Sequence, residues 1–167
     1  FYVANTGADI VEVHDKDFGL RDWFGGSGGQ DGRFKYVSGI AVTQSGYIYV
    51  VDQEASRVQQ YDLEGKFLLQ WGSAGSGPGQ FKNPADVAVD AQGYVYVADF
   101  GNHRVQVFTP KGESVREIGA RGEAPGQLLG PNDVAVDNNG FLYVAGRDDK
   151  MVHKFFTTGG FVMRWGD

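Results

Sequence analysis

The chain has 167 residues, including 26 Gly, 12 Phe, 8 Tyr and 3 Trp but no Cys, and 15 Lys+Arg against 21 Asp+Glu give a net charge of −6. Its length fits one ordinary domain with a substantial core, and the acidic balance argues against a nucleic-acid-backbone binder, which needs a basic surplus. The absence of Cys excludes a disulfide framework, a zinc–thiolate site and a thiol nucleophile, and high Gly with high aromatic content points to many short strands and turns.

The chain opens at Phe1 rather than Met, which implies a lost leader or more sequence, and segment 1–25 reads as a three-strand piece without a first strand. Full units follow at 26–72, 73–119 and 120–167. Asp86-Val87-Ala88-Val89-Asp90 returns 47 residues later as Asp133-Val134-Ala135-Val136-Asp137, and in weaker form 47 residues earlier as Gly39-Ile40-Ala41-Val42-Thr43. The same step links Tyr2-Val3, Tyr49-Val50, Tyr96-Val97 and Tyr143-Val144 without a gap. It also links Phe24, Trp71, Ile118 and Trp165, so Trp71 and Trp165 are expected to pack, while Trp23 is one position out of phase and is expected to be exposed.

Within a unit the first strand, such as Val87 to Asp90, is short and apolar, as a strand crowded on both faces would be. A turn such as Asp90-Ala91-Gln92-Gly93 follows, with Gly supplying the positive φ of a tight hairpin. The second strand is Tyr94 to Ala98, and the third, Arg104 to Phe108, alternates and predicts one solvated face. The fourth runs from about Glu113 to Ile118, and Gly-rich connectors lead to the next unit. Four antiparallel strands in a repeat of this length predict an all-β fold of propeller blades. No segment has a helical apolar period, and no apolar run is long enough to cross a membrane, so a soluble protein is expected.

The best-formed unit carries Gly79-Gln80-Phe81, Pro84, Val87-Ala88-Val89-Asp90, Gly93, Tyr96-Val97-Ala98-Asp99 and Asn102-His103-Arg104-Val105-Gln106-Val107-Phe108, and it resembles an NHL repeat almost end to end. Unit 26–72 keeps Asp52 and Arg57 but has Ala55 and Ser56 for the Asn-His pair. Unit 120–167 has Gly146 and Met151 in place of the Asp and Arg. The resemblance implies a propeller of about six blades, and closing a ring takes at least about four. The chain is therefore expected to be part of a longer parent propeller, in preference to a ring closed by a second copy of itself.

On this frame the candidate sites fall at the channel mouth and in the turn before the third strand. At the channel mouth the first strands present Ser38-Gly39, Ala85-Asp86 and Asn132-Asp133. Asp86, Asn132 and Asp133 form a candidate ligand or metal site, since converging carboxylates suit a hard cation such as Ca²⁺. The alternative is that both Asp side chains accept backbone N–H groups of the connectors. Asp99, Asn102 and Arg104, with Asp52 and Arg57, read as a structural turn, because Asp and Arg recur and vanish together; a second reading has the pair presenting His103 to a ligand. His14 falls in a packing slot and His153 on an outward face, so no histidine metal site or acid–base pair is expected.

The resemblance implies a non-catalytic scaffold that binds a protein or a ligand, with no obligatory cofactor and an extracytoplasmic or secreted location. The amidating lyases among NHL-like propellers hold a metal with channel histidines, where this chain has Ser38, Ala85 and Asn132. A propeller hydrolase or lyase with a Ca²⁺-type metal in the channel stays as the alternative. RNA binding, found in some NHL domains, is disfavoured by the segment charges of −3, −1, −1 and −1 along the chain.

Overall fold

The computed structural model describes residues 1–166, in which fifteen strands form four antiparallel sheets. Blade I has three strands: β1 (Tyr2–Asn5), β2 (Ile10–His14) and β3 (Leu20–Gly25). Blade II comprises β4 (Val37–Val42), β5 (Tyr47–Asp52), β6 (Arg57–Asp62) and β7 (Phe67–Trp71). Blade III comprises β8 (Pro84–Val89), β9 (Val95–Asp99), β10 (Arg104–Phe108) and β11 (Ser114–Ile118). Blade IV comprises β12 (Pro131–Val136), β13 (Phe141–Gly146), β14 (Val152–Phe156) and β15 (Phe161–Trp165). Each sheet is a meander in which sequential strands pair. The first strands β4, β8 and β12 touch their neighbours in turn and form the inner wall of an arc.

Local chemistry explains the hairpins. Asp90 Oδ1 accepts the N–H groups of Gln92 and Tyr94 at 3.0 and 2.9 Å, and Asp137 Oδ1 does the same for Asn139 and Phe141. Gly93 closes the first of these turns at φ 89°, a conformation a β-carbon disfavours. The second oxygen of each Asp accepts a tyrosine hydroxyl from the following strand, Tyr96 at 2.9 Å and Tyr143 at 3.1 Å. The turn is thereby fastened to the blade face.

The core lies between blades. Along β5, Ile48 and Val50 pack toward blade I, whereas Tyr49 and Val51 pack toward blade III. A third cluster joins Tyr96, Ala98 and Val105 to Leu142, Val144 and Phe155. This corrects two expectations from patterning. The third strand has no solvated face: every residue of β10 is buried, Gln106 included. Crowding on both faces belongs to β9 and β10, while the first strand β8 is only partly buried because it lines the arc.

Among the described residues, nothing packs on the outer faces of the end blades. Trp23 is 53% exposed, as its phase suggested, but Trp165 is 45% exposed, unlike its repeat partner Trp71, which packs against Phe108. Position in the arc, rather than residue type, sets that difference.

Candidate functional site

Each first strand begins with a β-bulge at the predicted channel-mouth positions. Register shifts fall between Val37 and Ile40, Pro84 and Val87, and Pro131 and Asp133. A bulge bends a strand and re-aims its side chains, which places Ser38-Gly39, Ala85-Asp86 and Asn132 beside the channel. Asp86 Oδ2 accepts the N–H of Val134 from the next blade at 3.1 Å, and its side chain faces that of Asp133. Burial first, then the Asp133 contact, push the Asp86 carboxyl up to about 7. Gly39 permits this approach, since a β-carbon there would lie 2.6 Å from the Asp86 Cα. Asp133 and its neighbour Asn132 are exposed, whereas Asp86 is half-buried. Among the described residues no three His, Asp or Glu side chains converge.

The second constellation is the clamp under each connector. Arg104 Nε donates to Asp99 Oδ2 at 2.9 Å, and its remaining nitrogens reach Glu117 at 2.7 Å and the carbonyls of Gly77 and Gln80 at 2.9 and 3.0 Å. Asn102 bridges Gly75 O and Asp99, while Gln106 donates to Gln80 O and accepts from Gly79 N–H. Blade II repeats the set, with Arg57 on Asp52 at 3.1 Å and on three connector carbonyls. A guanidinium supplies five donors in a fixed fork, which suits a ring of loop carbonyls around one buried carboxylate. The connector thus rests on charge-assisted bonds, and its plug residue, Phe34, Phe81 or Leu128, is fully buried below.

Blade IV lacks both clamp residues and replaces them from other positions. His153 is fully buried, with Nε2 2.8 Å from Asp149 Oδ2, and Arg164 donates to the Glu123 carbonyl at 2.5 Å. The outward placement expected for His153 is therefore wrong, because its strand is covered by the connector and by blade III. Sequence reasoning missed this trio. Its signal was present: an acid, Asp149, stands at the place of Asn102, and a cation, Arg164, at that of Glu117.

The other histidines are also engaged within the chain. His14 stacks on Phe1 at 5.3 Å and sits 2.9 Å from Glu12, a contact that raises its pKa. His103 Nδ1 accepts the N–H of Gly130 at 3.0 Å, across the seam to blade IV.

Meandering four-stranded sheets packed face to face around inner first strands define this chain as a segment of a β-propeller. A family model described as NHL repeat matches residues 81–108, and one described as beta-propeller repeat matches residues 115–147. The NHL match lies in blade III, and the propeller-repeat match runs from the end of that blade into blade IV. No curated protein sequence matches it. Among solved structures it is similar to a catalytically inactive virginiamycin B lyase from Staphylococcus aureus with quinupristin, at 13% identity and TM-score 0.73 over 99% of this chain and 51% of that one. A streptogramin B lyase is similar at 16% identity and TM-score 0.72, over 96% of this chain and 49% of that one. Hydrazine synthase of Kuenenia stuttgartiensis follows at 17% identity and TM-score 0.74, over 99% and 45%. At these identities the likeness is one of fold, and the chain spans about half the length of each. No helix among the described residues is long and apolar enough to cross a membrane.

Proposed function

We propose that the chain is part of a rigid propeller platform that binds a protein partner through its connector face. One contrast carries this reading. The charged side chains that recur, Asp52 with Arg57 and Asp99 with Arg104, lie buried under the connectors, whereas the outward residues differ between blades, Tyr36 against Asn83 and Glu54 against Asp148. A buried framework shared by blades II and III beneath variable exposed loops is the arrangement that recognition sites use. The remaining blades come from a longer parent chain, in line with the half-length overlap above, and an extracytoplasmic location belongs to the proposal on resemblance alone. Partner capture with the intact parent protein tests it. A stable complex weakened by Tyr36→Ala is expected; the absence of any stable partner would overturn it.

The contact between Asp86 and Asp133 favours one second reading, a hard cation held at the channel mouth in a propeller hydrolase or lyase. The donor set fits in kind, with two adjacent carboxylates and the exposed Asn132 amide, all oxygen ligands. A cation there would draw the proton out of the carboxyl pair. Calcium-dependent thermal stabilisation that is lost in Asp86→Asn supports this reading, and no shift in the unaltered protein ends it.

A further inference from the structure

Each seam within the chain is closed by the same kind of bond at the end opposite the connectors. A side chain of the earlier blade donates to a carbonyl in the last turn of the next blade, between its third and fourth strands. Tyr2 Oη donates to Leu63 O at 3.0 Å, Tyr49 Oη and Gln60 Nε2 to Pro110 O at 3.4 and 3.5 Å, and Arg116 Nε to Thr157 O at 3.1 Å. Leu63, Pro110 and Thr157 stand one repeat apart, so the acceptor keeps its place while the donor changes.

The outward face of blade IV repeats the face that blade II turns to blade III. Val51, Val58 and Trp71 pair across blade II, as do Tyr49, Gln60 and Leu69. In blade IV the rows are Ala145, Val152 and Trp165, and Tyr143, Lys154 and Met163. Val51 and Val58 are fully buried against Phe81 and Val87, the plug and inner strand of the following blade. At the matching place on blade IV is an open hollow of about 180 Å³, lined by Asp133, Val134, Ala135, Tyr143, Ala145 and Val152. Tyr143 Oη is taken by Asp137 of its own blade, and Met163, in the place of Arg116, has nothing to donate. Lys154, in the place of Gln60, is the donor that remains. Its Nζ lies 3.7 Å from the centre of the Phe141 ring and 5.2 Å from that of Tyr143. No carboxylate among the described residues is within ion-pair reach of it.

We propose that this face seats a further complete blade of the parent chain, whose last turn brings an Asp or Glu side chain to Lys154. The plug and inner strand of that blade fill the hollow as Phe81 and Val87 fill its counterpart. Residues 1–25 carry neither, so blade I of a second copy would leave the hollow open, although its last turn, Asp15-Lys16-Asp17, is acidic. The acid follows from the ammonium. Aromatic faces attract a cation without neutralising it, and a seam that closes over Lys154 strips its water. The neutral Tyr and Gln donors of the other seams need only a carbonyl; a buried ammonium needs a counter-charge. The inference rests on the longer parent chain of the scaffold reading and on nothing about its partner.

Zero-length carbodiimide cross-linking of the intact parent protein, read by mass spectrometry, is the test. The expected product is an intramolecular link from Lys154 to an Asp or Glu in the last turn of the blade that follows, lost in Lys154→Met. Lys154→Glu should lower the midpoint of thermal unfolding more than Lys154→Met does, because it sets like charges together. Exchanging the linked acid for Lys should restore the midpoint in Lys154→Glu. A link to Asp15 or Asp17 of a second copy, a link to a different protein, no link at Lys154, or equal effects of the two substitutions would overturn the proposal. Partner capture can fail with the link intact, and the link can be missing while a partner is held, so the two readings fail separately.

Discussion

Asp149 carries its carboxylate into the space that a side chain on Gly146 would fill: a β-carbon there would lie 2.9 Å from the Asp149 Cγ. Blades II and III have Asp52 and Asp99 at that place. In blade IV the acid comes instead from the following loop, and the missing side chain at Gly146 makes room for it. Loss of one clamp residue and gain of another are thus a single steric event.

Gly146→Ala is therefore expected to destabilise the fold by about 1–3 kcal/mol, because the carboxylate must be displaced from His153. Asp149→Ala leaves the buried His153 without its hydrogen-bond partner, for a similar loss of about 1–3 kcal/mol. The double variant should cost less than the sum of the two, since both disturb the same contact. Urea unfolding of the three variants checks this.

Burial and the contact with Asp133 push Asp86 from its ordinary 3.8 up to about 7. The folded state then holds a proton that the unfolded chain releases above about pH 4. That contribution to stability is complete below the unfolded value and is lost as pH rises through about 7, with a slope of at most about 1.4 kcal/mol per pH unit. Asp137 acts the other way, because the N–H groups of Phe141 and Asn139 hold its carboxyl low, but it titrates at the acid end. Unfolding free energies between pH 4 and 8 should fall in the unaltered protein and flatten in Asp86→Asn.

Phe81 and Trp23 separate the covered seams from the open end of the arc. Phe81 is fully buried between blades II and III, and Phe81→Ala should cost about 3–5 kcal/mol. Trp23 is 53% exposed on blade I, and Trp23→Ala should stay within about 0.5 kcal/mol. Equal losses at the two positions would show that the blades are not packed in this order.

The 47-residue period was legible because turns that open on Asp and close on Gly recur, as in Asp90 to Gly93 and Asp137 to Gly140, and the number of sheets follows from it. The burial of the third strand was not. Gln59, Gln106 and His153 alternate with apolar residues and read as a wetted face, yet each is fully buried. For the two glutamines the polarity meets connector groups such as the Gln80 carbonyl, which local patterning does not reveal. The bulges were hidden for a related reason: one extra residue, such as Asn132, leaves the sequence spacing unchanged and alters only the pairing with the next strand. Asp86 and Asp133 stood out as candidates by their repeat position, but their mutual contact depends on how far one blade is rotated from the next.

The central claim is that the recurring Asp and Arg form an internal clamp of the blade. A double-mutant cycle on Asp99 and Arg104, read by urea unfolding, tests it most directly. Arg104→Ala alone should cost about 3–5 kcal/mol, because it strands a buried carboxylate, and pairing it with Asp99→Ala should recover about 1–3 kcal/mol as coupling. Additive losses, or a loss near zero at Arg104, would contradict the clamp and return both residues to the pool of ligand-binding candidates.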